Sequence, residues 1–277
     1  MNSPDQFRER VQALVAEGKL TPEEADQLLS TAETTAESAT TDATAAPLAL
    51  VLQPVPVPEG PIPATFHLHV TGYSLTVRVD PEATMPQLTA TLPDRLELAA
   101  ATDGWHLRRL PTNWNDRGEG WLERIIQSFT QEGNLRAELV IPALTTDIHA
   151  KVQGGNLTME DTHAQVHVVV QGGNLTMGNA REVRAKVQGG NLKWSADLQD
   201  GQHDVKVQGG NASVQLRPGS SVRVAGSVTA GNMSATGFPL TKHARDFVNA
   251  DYEGVLSDGR ARLDLKVQGG NAKVVAQ

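Results

Sequence analysis

The chain has 277 residues, enough for one or two domains, with a formal net charge of −8 and aromatic residues at only 4%. That acidic balance argues against nucleic acid as a partner, since nucleic-acid binders present a basic face. The absence of cysteine removes disulfides, thiolate metal sites and a cysteine nucleophile.

No run approaches the ~18 apolar residues of a membrane span, and the first residues carry no basic-then-apolar leader. Neither a transmembrane segment nor a signal peptide is expected. The expected location is the cytoplasm.

Residues 1–33 are predicted to form a helical hairpin. Ser3 and Pro4 supply an N-cap and a first-turn proline, and Gln6 completes a capping box. Phe7, Val11 and Leu14 share one helical face. Gly18 stops the first helix, Thr21–Glu24 starts the second, and Leu28 and Leu29 give it an apolar stripe. Two helices this short bury too little surface alone. Phe7, Val11, Leu14, Leu28 and Leu29 are therefore the expected contact with another copy, and a homo-oligomer is expected. Residues 34–63 read as a linker, rich in Ala and Thr and then in Pro, in which Leu48–Leu52 is the one run suited to dock as a strand.

From residue 64 to residue 277 the pattern alternates apolar and polar residues, the signature of half-buried strands. Val70–Val77 reads as an early, altered copy of a unit that recurs later, and Leu96–Leu98 and Trp105–Leu107 read as strands. Interruptions fall near 111–129 and 238–252, and Lys242–Phe247 in the second reads as helical. Val-Gln-Gly-Gly-Asn is spelled out from Val152, Val170, Val187 and Val207 between them and from Val267 after the second, with an altered copy at Val228–Asn232. The asparagines Asn156, Asn174, Asn191, Asn211, Asn232 and Asn271 step by 18, 17, 20, 21 and 39 residues. The last step is about two periods, as if one copy were overwritten near Tyr252–Gly254.

A period near 20 with strand, Gly-Gly bend and strand in each unit predicts a mainly β parallel β-helix, right-handed by the general preference of parallel crossovers. The turns are assigned to Gly154, Gly155, Gly172, Gly173, Gly189, Gly190, Gly209, Gly210, Gly269 and Gly270. Gly155, Gly173, Gly190 and Gly210 are expected to hold backbone angles that side chains forbid. The glutamines and asparagines should form ladders, each amide bonding its equivalent one coil away. After Val267–Asn271 only Ala272–Gln277 follows. Val274 and Val275 are thus the expected open end for end-to-end association, with segment 238–252 as the alternative cover.

Chemistry is sparse in this pattern. The Gly-Gly-Asn units lack the aspartate of calcium-binding repeats. His67 and His69 share a strand face, and His163 and His167 flank a connection, but the sequence places no third zinc ligand. Lys151, Lys186, Lys206 and Lys266 recur at one repeat position, either as a solubilising face or as a basic stripe for an anionic polymer or lipid. Asp147, Asp161, Asp200, Asp204 and Asp258 fall at different repeat phases, so no shared carboxylate position is expected. No cofactor, no metal and no enzymatic activity are expected.

The serial Gly-Gly-Asn turns, the altered first unit and the strand ending in Ile141-Pro142 resemble the DUF4097 family of adhesin-like β-strand-repeat proteins over about residues 64–277. Ala16–Ala25 with Leu28 and Leu29 resembles the SHOCT-like helical hairpin that often precedes such bodies. The resemblance implies a β-solenoid with an oligomerising hairpin, no catalytic residues, and a loose link to the cell envelope. The expected function is a non-catalytic scaffold that self-associates through its hairpin and its solenoid end. The alternative is an envelope-stress sensor or adhesin that binds a peptide, an anionic lipid or a glycan on the solenoid face.

Overall fold

The computed structural model describes residues 52–57, 64–110 and 135–277. The chain divides into two compact units, and all described residues belong to the one spanning Leu52–Thr112 and Asn134–Gln277. The predicted hairpin of residues 1–33, most of the linker and the 111–129 interruption lie outside the described residues.

The described unit is mainly β. Its first strands are β1 (Gln53–Val55), β2 (Thr65–Thr71), β3 (Ser74–Asp80), β4 (Gln87–Ala90), β5 (Leu96–Ala101), β6 (Gly104–Arg109) and β7 (Arg136–Pro142). The regular units supply β8 (Asp147–Gln153), β9 (Leu157–Met159), β10 (Gln165–Gln171), β11 (Leu175–Met177), β12 (Glu182–Gln188), β13 (Leu192–Ala196), β14 (Gln202–Gln208) and β15 (Ala212–Leu216). The remainder are β16 (Val222–Thr229), β17 (Met233–Thr236), β18 (Leu240–Ala244), β19 (Asn249–Leu256), β20 (Ala261–Gln268) and β21 (Ala272–Ala276).

These form two mixed sheets, one in the order β1-β4-β7-β3-β9-β11-β13-β15-β21-β17 and the other β18-β19-β16-β20-β14-β12-β10-β8-β2-β6-β5. Within the regular units all pairings are parallel and in register, Val152 beside Val170 and Val170 beside Val187. Period-2 alternation puts Ile148, Ala150 and Val152 of β8, and Val166, Val168 and Val170 of β10, on the buried side. Leu157, Met159, Leu175 and Met177 of the other sheet belong to the same hydrophobic cluster. The altered copy predicted at Val70–Val77 is present: β2 pairs with β8 and β3 with β9, both parallel.

Both ladders are present. Gln153 Nε2 donates to Gln171 Oε1 at 2.7 Å, Gln171 to Gln188 at 2.9 Å, Gln188 to Gln208 at 2.9 Å and Gln208 to Gln268 at 2.8 Å. The backbone N–H and side-chain amide of Asn174 both donate to Asn156 Oδ1, at 2.9 and 3.0 Å. A side chain that bonds its own equivalent satisfies itself at every step of a parallel stack, so the polar turn column stays paired without outside help.

The glycine expectation needs correction. The first glycine of each pair carries the positive φ: +66° at Gly154, +68° at Gly172 and Gly189, +67° at Gly209 and +66° at Gly269. The second is required for space. A Cβ on Gly173, Gly190, Gly210 or Gly270 would lie 1.8 Å from the carbonyl oxygen of the second glycine in the neighbouring unit, and on Gly155 1.9 Å from Tyr73 O. The altered copy separates the two demands. Ala230 takes the first place at φ 52°, while Gly231 keeps the second, where a Cβ would lie 1.7 Å from Gly270 O.

Four further expectations are overturned. Lys242–Phe247 is not helical: Leu240–Ala244 is β18, which with β19 makes an antiparallel hairpin on the side of β16. The stretch lacks an apolar helical stripe, and a neighbouring strand edge offers its unpaired backbone groups a ladder. Part of the linker is structured, since β1 pairs antiparallel with β4 and Val55 is buried. The last repeat is not an end. β20 lies between β14 and β16, and β21 between β15 and β17, so Val274 is fully buried and Val275 is half-buried and paired with Gln215 and Thr236. The open end proposed for Val274 and Val275 does not exist there, and no copy is overwritten at Tyr252–Gly254, which lies in β19.

Of the buried polar residues among those described, His203 alone lies within a strand. His203 of β14 stands where β12 has Val183 and β20 has Leu263, is 1% exposed, and lies 5.3 Å ring to ring from Trp194. Its Nδ1 is buried without a partner. Burial holds the imidazole below its ordinary value of 6.5. Below that pH the unfolded chain takes up a proton that the folded chain refuses, so stability should fall as pH drops from about 7 to about 5, by up to ~1.4 kcal/mol per unit. Urea midpoints across that range should show a shallower pH slope for His203→Leu than for the wild type. Equal slopes would remove His203 as the cause.

Candidate functional site

The outward positions of the longer sheet gather most of the chemistry. In β2 the inward Phe66, Leu68 and Val70 force His67 and His69 outward; in β8 Ile148, Ala150 and Val152 do the same for His149 and Lys151. In β6 the inward pair is Trp105 and Leu107, which turns His106 and Arg108 out. Parallel in-register pairing then lines up equivalents across strands.

One row runs His106, His67, His149, His167, Arg184, Asp204 and Asp264. The neighbouring row runs Arg108, His69, Lys151, Val169, Lys186, Lys206 and Lys266. The first row from His67 to Asp204 and the second from His69 to Lys206 line an open groove of about 520 Å³.

The histidines touch one another. Ring centroids are 4.6 Å apart for His67 and His106, 5.1 Å for His67 and His149, and 4.9 Å for His149 and His167. Partial desolvation, then the neighbouring His167 and His67, hold His149 below its ordinary value. Asp103, in the turn joining β5 to β6, meets His106 Nε2 at 2.8 Å and His67 Nε2 at 3.8 Å. The bond from His106 holds the Asp103 carboxyl below its usual value, so it stands ionised at neutral pH.

Of the two histidine pairs read from the sequence, His67 joins this row and His69 the lysine row. His167 joins the histidines, and His163 stays apart, exposed ahead of β10. His106 and His149 were missed. His67, His149 and His167 each lie three residues before the valine of their unit (Val70, Val152 and Val170), so alignment of the units could have found His149. His106 lies outside any unit and needed the pairing of β6 with β2.

The lysine positions do form one row, as the repeat phase predicted. Lys206 meets Asp204 at 3.2 Å, whereas among the described residues Lys151, Lys186 and Lys266 meet no carboxylate. The expectation that no acid shares a strand position fails once, because Asp204 and Asp264 are paired in register. Asp264 is engaged by Arg262 at 2.9 and 3.1 Å, and Asp204 by Lys206, so each faces a cation.

No family model matches the chain, and no curated protein does. The likeness to DUF4097 and to a SHOCT-like hairpin therefore stays a resemblance. Among solved structures the chain is similar to a protein from Clostridium sporogenes described as a putative cell adhesion protein, with a TM-score of 0.41 and 10% identity over 82% of this chain and 100% of that one. A likeness of that size carries no argument about function. No helix among the described residues is long and apolar enough to cross a membrane.

Proposed function

We propose that the described unit is a β-solenoid and that the protein is a non-catalytic interaction protein whose groove binds a linear polyanion, such as an acidic glycan of the cell envelope. The observation that carries this reading is the row of Lys151, Lys186, Lys206 and Lys266 on parallel strands, with Val169 of β10 between the first two and the last three on adjacent strands. Neighbouring strands lie about 4.8 Å apart, so the three lysines from Lys186 to Lys266 present ammonium groups at a regular spacing along a straight line. A chain whose net charge is −8 concentrates cations on this one face. A line of charge suits an extended polymer better than a planar surface, and among the described residues only Lys206 of this row has a carboxylate partner to be displaced. In this reading the helical hairpin, with Phe7, Val11, Leu14, Leu28 and Leu29, serves self-association, which rests on its sequence pattern alone.

The full chain should bind dextran sulfate and ignore neutral dextran, with affinity falling as salt is raised. Changing Lys186 and Lys266 to Gln should weaken binding roughly ten-fold or more, since each charge contributes on the order of 1 kcal/mol. Equal binding to neutral dextran would sink the reading. Binding to vesicles of anionic lipid without binding to the soluble polymer would replace the polymer with a membrane surface.

A further inference from the structure

We propose that His67, His106 and Asp103 form a binding site for one divalent first-row transition ion of the zinc class. His67 and His106 occupy paired positions on β2 and β6, so the backbone ladder itself fixes two of the three ligands. Their rings stack with 20° between planes, and both Nε2 atoms turn to the same carboxylate, at 2.8 Å for His106 and 3.8 Å for His67. One donor atom from each of the three residues can be chosen so that all lie within 4.8 Å of one another.

Zinc holds imidazole nitrogen and carboxylate oxygen at about 2.0–2.2 Å, which places neighbouring ligand atoms roughly 3–3.5 Å apart. Contraction to that spacing asks for movement mainly of Asp103, whose side chain is 63% exposed on a turn. The turn is anchored on its far side. Gly104 follows Asp103 at φ +136°, and a Cβ there would lie 2.5 Å from Thr65 O, so β6 starts hard against β2. Two imidazoles with one carboxylate suit zinc, copper or nickel. Calcium and magnesium prefer oxygen ligands throughout. Three protein ligands leave at least one position for water or for an outside ligand.

The site is separate from the lysine row in its residues and its chemistry, so its test does not depend on polyanion binding. The full chain, free of any polyhistidine tag, is titrated with Zn²⁺ in a calorimeter and with Co²⁺ by visible absorption. One equivalent of Zn²⁺ should bind, and it should raise the urea midpoint of the wild type. His106→Gln and Asp103→Asn should each weaken that binding roughly ten-fold or more. His163→Gln, which is no part of the cluster, should bind as the wild type does. No binding by the wild type, or undiminished binding by both His106→Gln and Asp103→Asn, would overturn the site.

Discussion

Removing residues 260–277, and with them β20 and β21, should abolish cooperative unfolding of the described unit. In an ordinary stack of repeats, loss of the last unit in sequence removes one interface and leaves a shorter stack that still folds. Here the lost strands lie inside both sheets, so β14 and β16 are left facing a gap, as are β15 and β17. Leu263, Leu265, Val267 and Val274 are each fully buried. At about 1.5–3 kcal/mol apiece their loss forfeits roughly 6–12 kcal/mol, comparable with the whole net stability of a domain, about 5–15 kcal/mol. Urea unfolding followed by circular dichroism reads this directly. A truncated chain with a sharp transition near the wild-type midpoint would mean that β16 can close onto β14 unaided.

The second large effect is expected at a single atom. Gly190→Ala places a Cβ 1.8 Å from Gly173 O, against backbone held on both sides by neighbouring units. The stack must open locally to admit it, at a cost on the order of 3 kcal/mol. Gly189→Ala, one residue earlier, meets nothing closer than 3.9 Å and suffers only its positive φ of 68°. That strain is worth about 1–2 kcal/mol, and Asn at the same place should cost less. The order matters more than the values: if Gly189→Ala proved the more damaging of the two in urea, the close-approach account would fail.

Much of this was legible in the sequence for a physical reason. Strand alternation and a turn that stacks on itself both write a period into the chain, so the strands of each unit, the glutamine and asparagine ladders and the phase of the lysines could all be read. What could not be read was spatial order. Each unit bonds to its neighbour through the same atoms, so the motif at Val267–Asn271 fits any place in the column. One clue was present in the altered copies. Thr71 and Thr229 flank the glutamine ladder, Thr71 Oγ1 donating to Gln153 Oε1 at 3.4 Å and Thr229 Oγ1 to Asn249 Oδ1 at 2.7 Å. A threonine at the edge of the column interrupts one rung, whereas in the middle it would interrupt two, so the copy with Thr229 belongs outside the copy with Gln268. The histidine row was half-hidden because His106 comes from a hairpin with no repeat signature. The helical reading of Lys242–Phe247 failed because local pattern says nothing of a waiting strand edge.

The interior position of β20 and β21 also sets an order of events in time. β16 and the β18–β19 hairpin are synthesised before the strands that will join them to β14, so during that interval they have no native neighbour on that side. At about 5–20 residues per second, the span from Thr229 to Gln277 takes roughly 2–10 s to make. Short strands pair in microseconds, so the hairpin has ample time to form while the slot beside it stands empty. The earlier units can grow by addition, one unit upon the last. β20 and β21 instead have to enter between strands made before them, β14 and β16 in one sheet and β15 and β17 in the other.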